Sequence, residues 1–194
     1  EVPSDFPVDF CLLTHRSRQY VAYYDVQRRL TVAARALESD DWQFSVLPET
    51  VGWDSHNSVT MAADDQGYIH LSGNMHAEPL VYFRTSRPGD LSTFERIPAM
   101  TGTNERRCSY PRFLRDADDR LLFCYRETNP GVDFGIWIYN VYDQVARQWS
   151  RLLGTPLADG HGRMDAYIEG PLRGEQWVIQ DDELLVGRAG HCDI

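Results

Sequence analysis

The 194-residue chain is 42% hydrophobic and 25% charged, enough apolar content for one buried core and too much for a disordered chain. Its formal net charge of -10 argues against nucleic acid as a partner, because a phosphate backbone rewards a basic surface. No apolar run approaches the about 18 residues of a membrane span and no basic-then-apolar leader opens the chain, so no membrane partner is expected and an export signal would lie before Glu1.

From Phe10 onward the chain reads as short apolar or alternating runs, FCLLTH, QYVAYYD, LTVAARAL and WQFSVLP, separated by the polar turns HRSR, DVQRR and ESDD. Aromatic and β-branched enrichment with such regular breaks predicts an all-β fold, although LTVAARAL also passes for a short helix. The theme recurs as SVTMAADDQGYIHLSG, PLVYFRTS and TFERIP, then as YPRFLRDADDRLLFCYRE, FGIWIYNVYD and RQWSRLL. A fourth unit runs from AYIEGP through QWVIQDDELLVGRA.

Trp42, Phe94 and Trp149 each precede a short strand, at spacings of 52 and 55, and Tyr24, Phe83 and Tyr139 end the strand before it, at spacings of 59 and 56. A period of about fifty residues holding about four strands predicts β-propeller blades. Residues 1–194 are accordingly expected to form one domain of about four repeats, a partial propeller or a fragment of one. Propellers usually close with four to eight blades, so self-association to cover open edges is a further expectation.

Four cysteines, Cys11, Cys108, Cys124 and Cys192, form no CxxC pair, and buried free thiols are expected. Cys108 and Cys124 lie on the two arms of one hairpin and are candidate neighbours. Arg106, Arg107, Arg112, Arg115 and Arg126 form a basic cluster that either grips a small polyanion or is a solvated face.

In an antiparallel hairpin, opposed residues have numbers that sum to a constant. His56 and His76 share the midpoint 66, inside the turn Asp64 to Gly67, and Tyr110 and Arg126 share 118, inside Asp116 to Asp119. Both pairs are expected to meet at one end of the sheets, within a residue of register; aligning the hairpins by their turns puts Asn57 rather than His56 opposite Tyr110. Each residue alone has a structural explanation. Together they supply a permanent cation and proton-transferring groups, without a serine nucleophile or paired carboxylates. That suits proton abstraction beside a carboxylate, as in β-elimination from a uronic acid, whose charge a bidentate arginine neutralises.

The string HNSVTMAADDQGYIHLSGNMHAEPLVYFR, with SYPRFLR, LLFCYRE and DAYIEGP, resembles the BNR-repeat polysaccharide lyases that include the ulvan lyases, over about residues 50 to 171. The resemblance implies a secreted propeller enzyme cleaving an anionic, sulfated, uronic-acid-containing polysaccharide, with no cofactor needed for the chemistry. It assigns carboxylate neutralisation to Arg126, the base and acid roles to His56 and Tyr110 in either order, and substrate positioning or assistance to His76. Asn57, Arg112 and Tyr167 are the implied substrate contacts, and a structural metal, with His191 and Cys192 as candidate ligands, is compatible with it. A non-catalytic glycan-binding propeller is the alternative from another class, and a sialidase-like hydrolase ranks below it.

Overall fold

The computed structural model describes residues 8–128 and 135–156 in full, and the strands at 158–159, 175–180 and 183–188 by their backbone. The first sheet holds β1 (Cys11–His15), β2 (Arg18–Tyr24), β3 (Arg29–Ala36) and β4 (Gln43–Thr50) in that order. In the second, β5 (Val59–Ala63) and β6 (Ile69–Gly73) are followed by β7 (His76–Glu78), which leaves the sheet, and then by β8 (Tyr82–Thr85) and β9 (Phe94–Arg96), which complete it. The third holds β10 (Cys108–Arg115), β11 (Leu121–Glu127), β12 (Ile136–Asp143) and β13 (Gln148–Arg151), with β7 added beside β10 and β14 (Ala158–Asp159) beside β12. A hairpin of β15 (Glu175–Gln180) and β16 (Glu183–Arg188) follows.

Every pairing is antiparallel. The first strand β5 lies against both β1 and β10, which is the stacking of propeller blades about their inner strands. LTVAARAL is strand: β3 is paired on both edges and buried from Leu30 to Ala34, so packing overrides the helix preference of its alanines. Trp42, Phe94 and Trp149 all adjoin a fourth strand, and Phe83 and Tyr139 lie in third strands. Tyr24, in contrast, ends the second strand β2, so its spacing to Phe83 compares unlike positions.

The hairpin turns share one device. Asp25, Asp64 and Asp116 each accept, through Oδ1, a hydrogen bond from the backbone N–H four residues on, at 2.9, 2.9 and 2.8 Å. The residue before that donor, Arg28, Gly67 or Asp119, takes a left-handed φ of 62°, 91° or 62°. This is a tight turn followed by a bulge, and the carboxylate satisfies an N–H the ladder does not use. At the end bearing the Asp64 and Asp116 turns, Asp65 ties three sheets together. Its backbone oxygen accepts from Arg16 at 2.8 Å, and its carboxylate accepts from Arg115 at 2.9 Å and Gln144 at 2.5 Å.

Between the second and third sheets, His70 is fully buried among Tyr82, Phe113, Tyr142 and Trp149. The indole N–H of Trp149 donates to Tyr82 Oη at 3.1 Å, and that oxygen lies 2.7 Å from His70 Nδ1. With the His70 ring proton on Nε2, which lies 3.5 Å from Asp64 Oδ2, Nδ1 is left to accept from the Tyr82 hydroxyl. Burial lowers the His70 pKa despite that carboxylate.

Cys108 and Cys124 are free, buried thiols, and Cys11 is only partly buried. Cys108 and Cys124 are not cross-strand partners: Cys108 faces Glu127 and Cys124 faces Arg112. Burial pushes the Cys124 thiol up to about 12 and raises that of Cys108 as well, so neither is a nucleophile near neutral pH. Cys192 lies outside the described residues.

Because its folded pKa is depressed below the ordinary 6.5, His70 binds a proton more readily in the unfolded chain. Its contribution to stability is complete above pH 6.5 and is lost as pH falls from there toward the folded value, with a slope of at most about 1.4 kcal/mol per pH unit. Urea unfolding across that range should show this loss, and His70→Gln should flatten the slope.

Candidate active site

The end of the β5–β6 hairpin opposite Asp65 gathers the polar residues singled out above. His56 lies in the loop entering β5, and His76 opens β7. The register of β5 with β6, Val59 opposite Gly73, carries the two histidines toward each other beyond the ladder. Their rings stack with centroids 4.4 Å apart and planes inclined by 28°.

What brings Tyr110 to them is a strand that changes sheets. β7 pairs with β10, Ser109 opposite His76 and Cys108 opposite Glu78, so Ala77 is an extra residue in the pairing. Ala77 takes a φ of 59°, and its N–H donates to the buried Ser109 Oγ at 2.8 Å. A second bulge follows at once in β10: Ser109 pairs with Arg126 and Arg112 with Cys124, leaving Tyr110 and Pro111 to face one residue. Pro111 has no N–H for the ladder, which is where a bulge is cheapest.

Tyr110 is therefore not the Cα partner of Arg126; Ser109 is. The expected neighbours meet through side chains instead. Tyr110 has a φ of 57°, a conformation rare for an aromatic residue, and its ring lies under the Arg126 guanidinium, 4.7 Å from centroid to Cζ. Its hydroxyl is 3.5 Å from His76 Nε2, and its ring centroid is 5.6 Å from that of His76 and 6.2 Å from that of His56. Arg126 is buried, whereas the His56 side chain is 54% exposed, so the group opens to solvent on the histidine side.

Asp54 was not singled out by the sequence reading, and it joins the group. Its Oδ1 accepts from the His56 backbone N–H at 2.9 Å and lies 2.6 Å from His56 Nδ1; its Oδ2 lies 2.5 Å from His76 Nδ1. These contacts, the His56 backbone N–H first, hold the Asp54 carboxyl well below the ordinary carboxylate range despite partial desolvation. The Asp-Ser-His order was the available signal, since an aspartate readily accepts from the N–H two residues on. Trp53 beside it is 68% exposed and carries the Arg28 guanidinium 4.7 Å from its ring centroid.

Asn57 is buried next to His56, and its Oδ1 finds no protein donor among the described residues. Arg112 sits opposite Cys124 and acts electrostatically on that thiol; no contact among the described residues joins it to the group. Tyr167, His191 and Cys192 lie outside the described residues.

Asp54, His56 and His76 are also the one set among the described residues whose ligand atoms, within 4.8 Å of one another, are close enough to hold a metal ion. Ligands around a tetrahedral zinc stand about 3.3 Å apart. At 2.6 and 2.5 Å the Asp54 carboxylate is in hydrogen-bond contact with both ring nitrogens, so the set is bonded to itself.

Residues 18–182 match the sequence model of a family described as BNR repeat-containing. No curated protein matches the chain. Among solved structures, the chain is similar to the polysaccharide lyase Uly1, with a TM-score of 0.67 and 14% identity over 89% of this chain and 46% of that one. It is similar to a PL25 ulvan lyase at a TM-score of 0.58 and 18% identity, over 76% of this chain and 36% of that one. The same lyase bound to a GlcA(1-4)Rha3S unit gives a TM-score of 0.57, 17% identity and the same coverage. The chain thus spans less than half the length of these structures, and at such identities the likeness establishes the fold.

Ser109→Ala should leave the Ala77 N–H without its acceptor at the junction of β7 and β10. The expected cost is about 1–3 kcal/mol, read as a lower urea midpoint with an unchanged m-value.

Proposed function

Since the chain belongs to the BNR repeat-containing family, we propose that it is a polysaccharide lyase that cleaves an anionic, uronic-acid-containing polysaccharide by β-elimination. The observation that carries the reading is the Arg126 guanidinium stacked over Tyr110, with the two histidines against the same tyrosine. A buried permanent cation and groups able to take and give protons surround the Tyr110 ring at 4.7 to 6.2 Å from its centroid. Nothing in the group supplies an activated nucleophile or a pair of carboxylates for hydrolysis.

In this reaction the substrate carboxylate pairs with Arg126, which makes the adjacent C5 proton acidic enough to remove. A base, His56 or Tyr110, takes that proton; the C5–H electron pair becomes the C4=C5 double bond; the C4–O4 bond breaks; and the departing O4 takes a proton from the acid. On this reading the buried Asn57 side chain and the exposed Trp53 hold the sugar beside these groups. A similar structure was solved with a glucuronate–sulfated rhamnose unit, which makes an ulvan-like polymer the first substrate to try. Such a polymer lies outside the cell, so the same reading makes the protein an exported one.

Incubation with ulvan and other polyuronates should raise the absorbance near 235 nm, where the unsaturated product absorbs. New reducing ends without that absorbance would mean a hydrolase, and binding without either would mean a glycan-binding propeller. Arg126→Ala should lower turnover by at least about a hundredfold, the scale of removing one charge-stabilising donor. Dialysis against EDTA should leave the rate unchanged, because Arg126 is the group that neutralises the carboxylate.

A further inference from the structure

Asp54 touches both histidines through the same ring position. The contacts are Oδ1 to His56 Nδ1 at 2.6 Å and Oδ2 to His76 Nδ1 at 2.5 Å, with the two rings stacked so that both Nδ1 edges reach one carboxylate. An ionised carboxylate only accepts hydrogen bonds, so each contact requires a proton on Nδ1. The strong depression of the Asp54 pKa by these same donors keeps it ionised. A neutral imidazole carries one N–H, so placing it on Nδ1 bares Nε2 as a lone pair. Free histidine in water favours the opposite tautomer.

We propose that Asp54 is the positioning residue of this site: a single carboxylate that fixes His56 and His76 together in the Nδ1–H tautomer, so that both present an Nε2 lone pair to the cleft. The catalytic consequence rests on the lyase reading; the tautomers do not. His76 Nε2 then accepts from the Tyr110 hydroxyl, 3.5 Å away, and aims it. Neutral His56 has no proton on its cleft-facing nitrogen and can only take one there. Under this arrangement His56 Nε2 receives the C5 proton and Tyr110 Oη gives its proton to O4. Asp54 offsets the charge that forms on His56, and the Arg126 guanidinium offsets the charge left on Tyr110. Positive charge rises beside a carboxylate and negative charge beneath a guanidinium, and the proton lost by one group equals the proton gained by the other. A later transfer from His56 back to Tyr110 resets the site.

The loop makes this placement local. The His56 N–H bond to Asp54 Oδ1 closes a two-residue turn that holds the carboxylate against His56, and Asn57 N–H donates to Asp54 O at 3.2 Å. His76 arrives from β7, so the same side chain also joins the loop before β5 to the strand after β6.

Nitrogen-15 NMR of the histidine rings, at a pH where they are neutral and assigned with His56→Gln and His76→Gln, should show Nδ1 as the protonated nitrogen in both. Nε2–H signals from either ring in the wild-type protein would overturn the proposal. In Asp54→Asn the amide offers one acceptor and one donor, so at least one histidine must switch to the Nε2–H form. Turnover should fall roughly a hundredfold to ten-thousandfold, the scale seen when a catalytic histidine is left in the wrong tautomer, while KM changes little. An Asp54→Asn protein that keeps both Nδ1–H signals and full turnover would also overturn it. If that variant does not fold, the wild-type spectrum still decides. If no polyuronate is cleaved by the wild-type protein, the lyase reading fails while the spectrum judges Asp54 independently.

Discussion

The pairing of β7 with β10 is the constraint on which the site depends. A three-residue strand leaves the sheet it was made in and joins the next one, and in doing so carries His76 across the boundary to Tyr110. Two successive bulges absorb the mismatch, one at Ala77 and one at Tyr110, and both residues adopt left-handed backbone. Such conformations cost of order 1–3 kcal/mol each unless the surroundings determine them. Here the surroundings do: the Ser109 hydroxyl holds Ala77, Pro111 removes a ladder donor, and the Arg126 guanidinium lies over the Tyr110 ring.

The opposite end of the same sheets is organised differently. There the Asp64 and Asp116 turns close on their own backbone, Asp65 binds three sheets through Arg16, Arg115 and Gln144, and His70 fills the seam between the second and third sheets. Asp64 Oδ1 and the Asp65 carboxylate accept there from neighbouring donors. At the end bearing His56, polar groups face outward, and the buried Asn57 Oδ1 has no protein donor among the described residues. Stability and reactivity are thus divided along the length of one hairpin.

The strands were legible because alternation and turn residues report on them directly, and β3 became clear once its pairing on both edges was known. The midpoint arithmetic worked for His56 and His76 because the β5–β6 ladder is regular up to Gly73. For Tyr110 and Arg126 it missed by one residue, since a bulge adds a residue to one arm without changing the spacing of the turn. Asp54 escaped notice because its partner His76 is 22 residues away in a strand that changes sheets, and no local pattern announces such a crossing. Tyr24 misled as a landmark because it closes a second strand, whereas Phe83 and Tyr139 lie inside third strands.

Cys108 sits where β7, β10 and β11 meet, its thiol fully buried and raised in pKa by burial and by Glu127. A thiol reagent can reach it only when that three-strand junction opens. The rate at which Cys108 is alkylated is therefore a clock for the opening of the joint that holds the histidines against the tyrosine. Peptide-resolved mass spectrometry can read that clock without any substrate, and a polymer that bridges the two sheets would slow it.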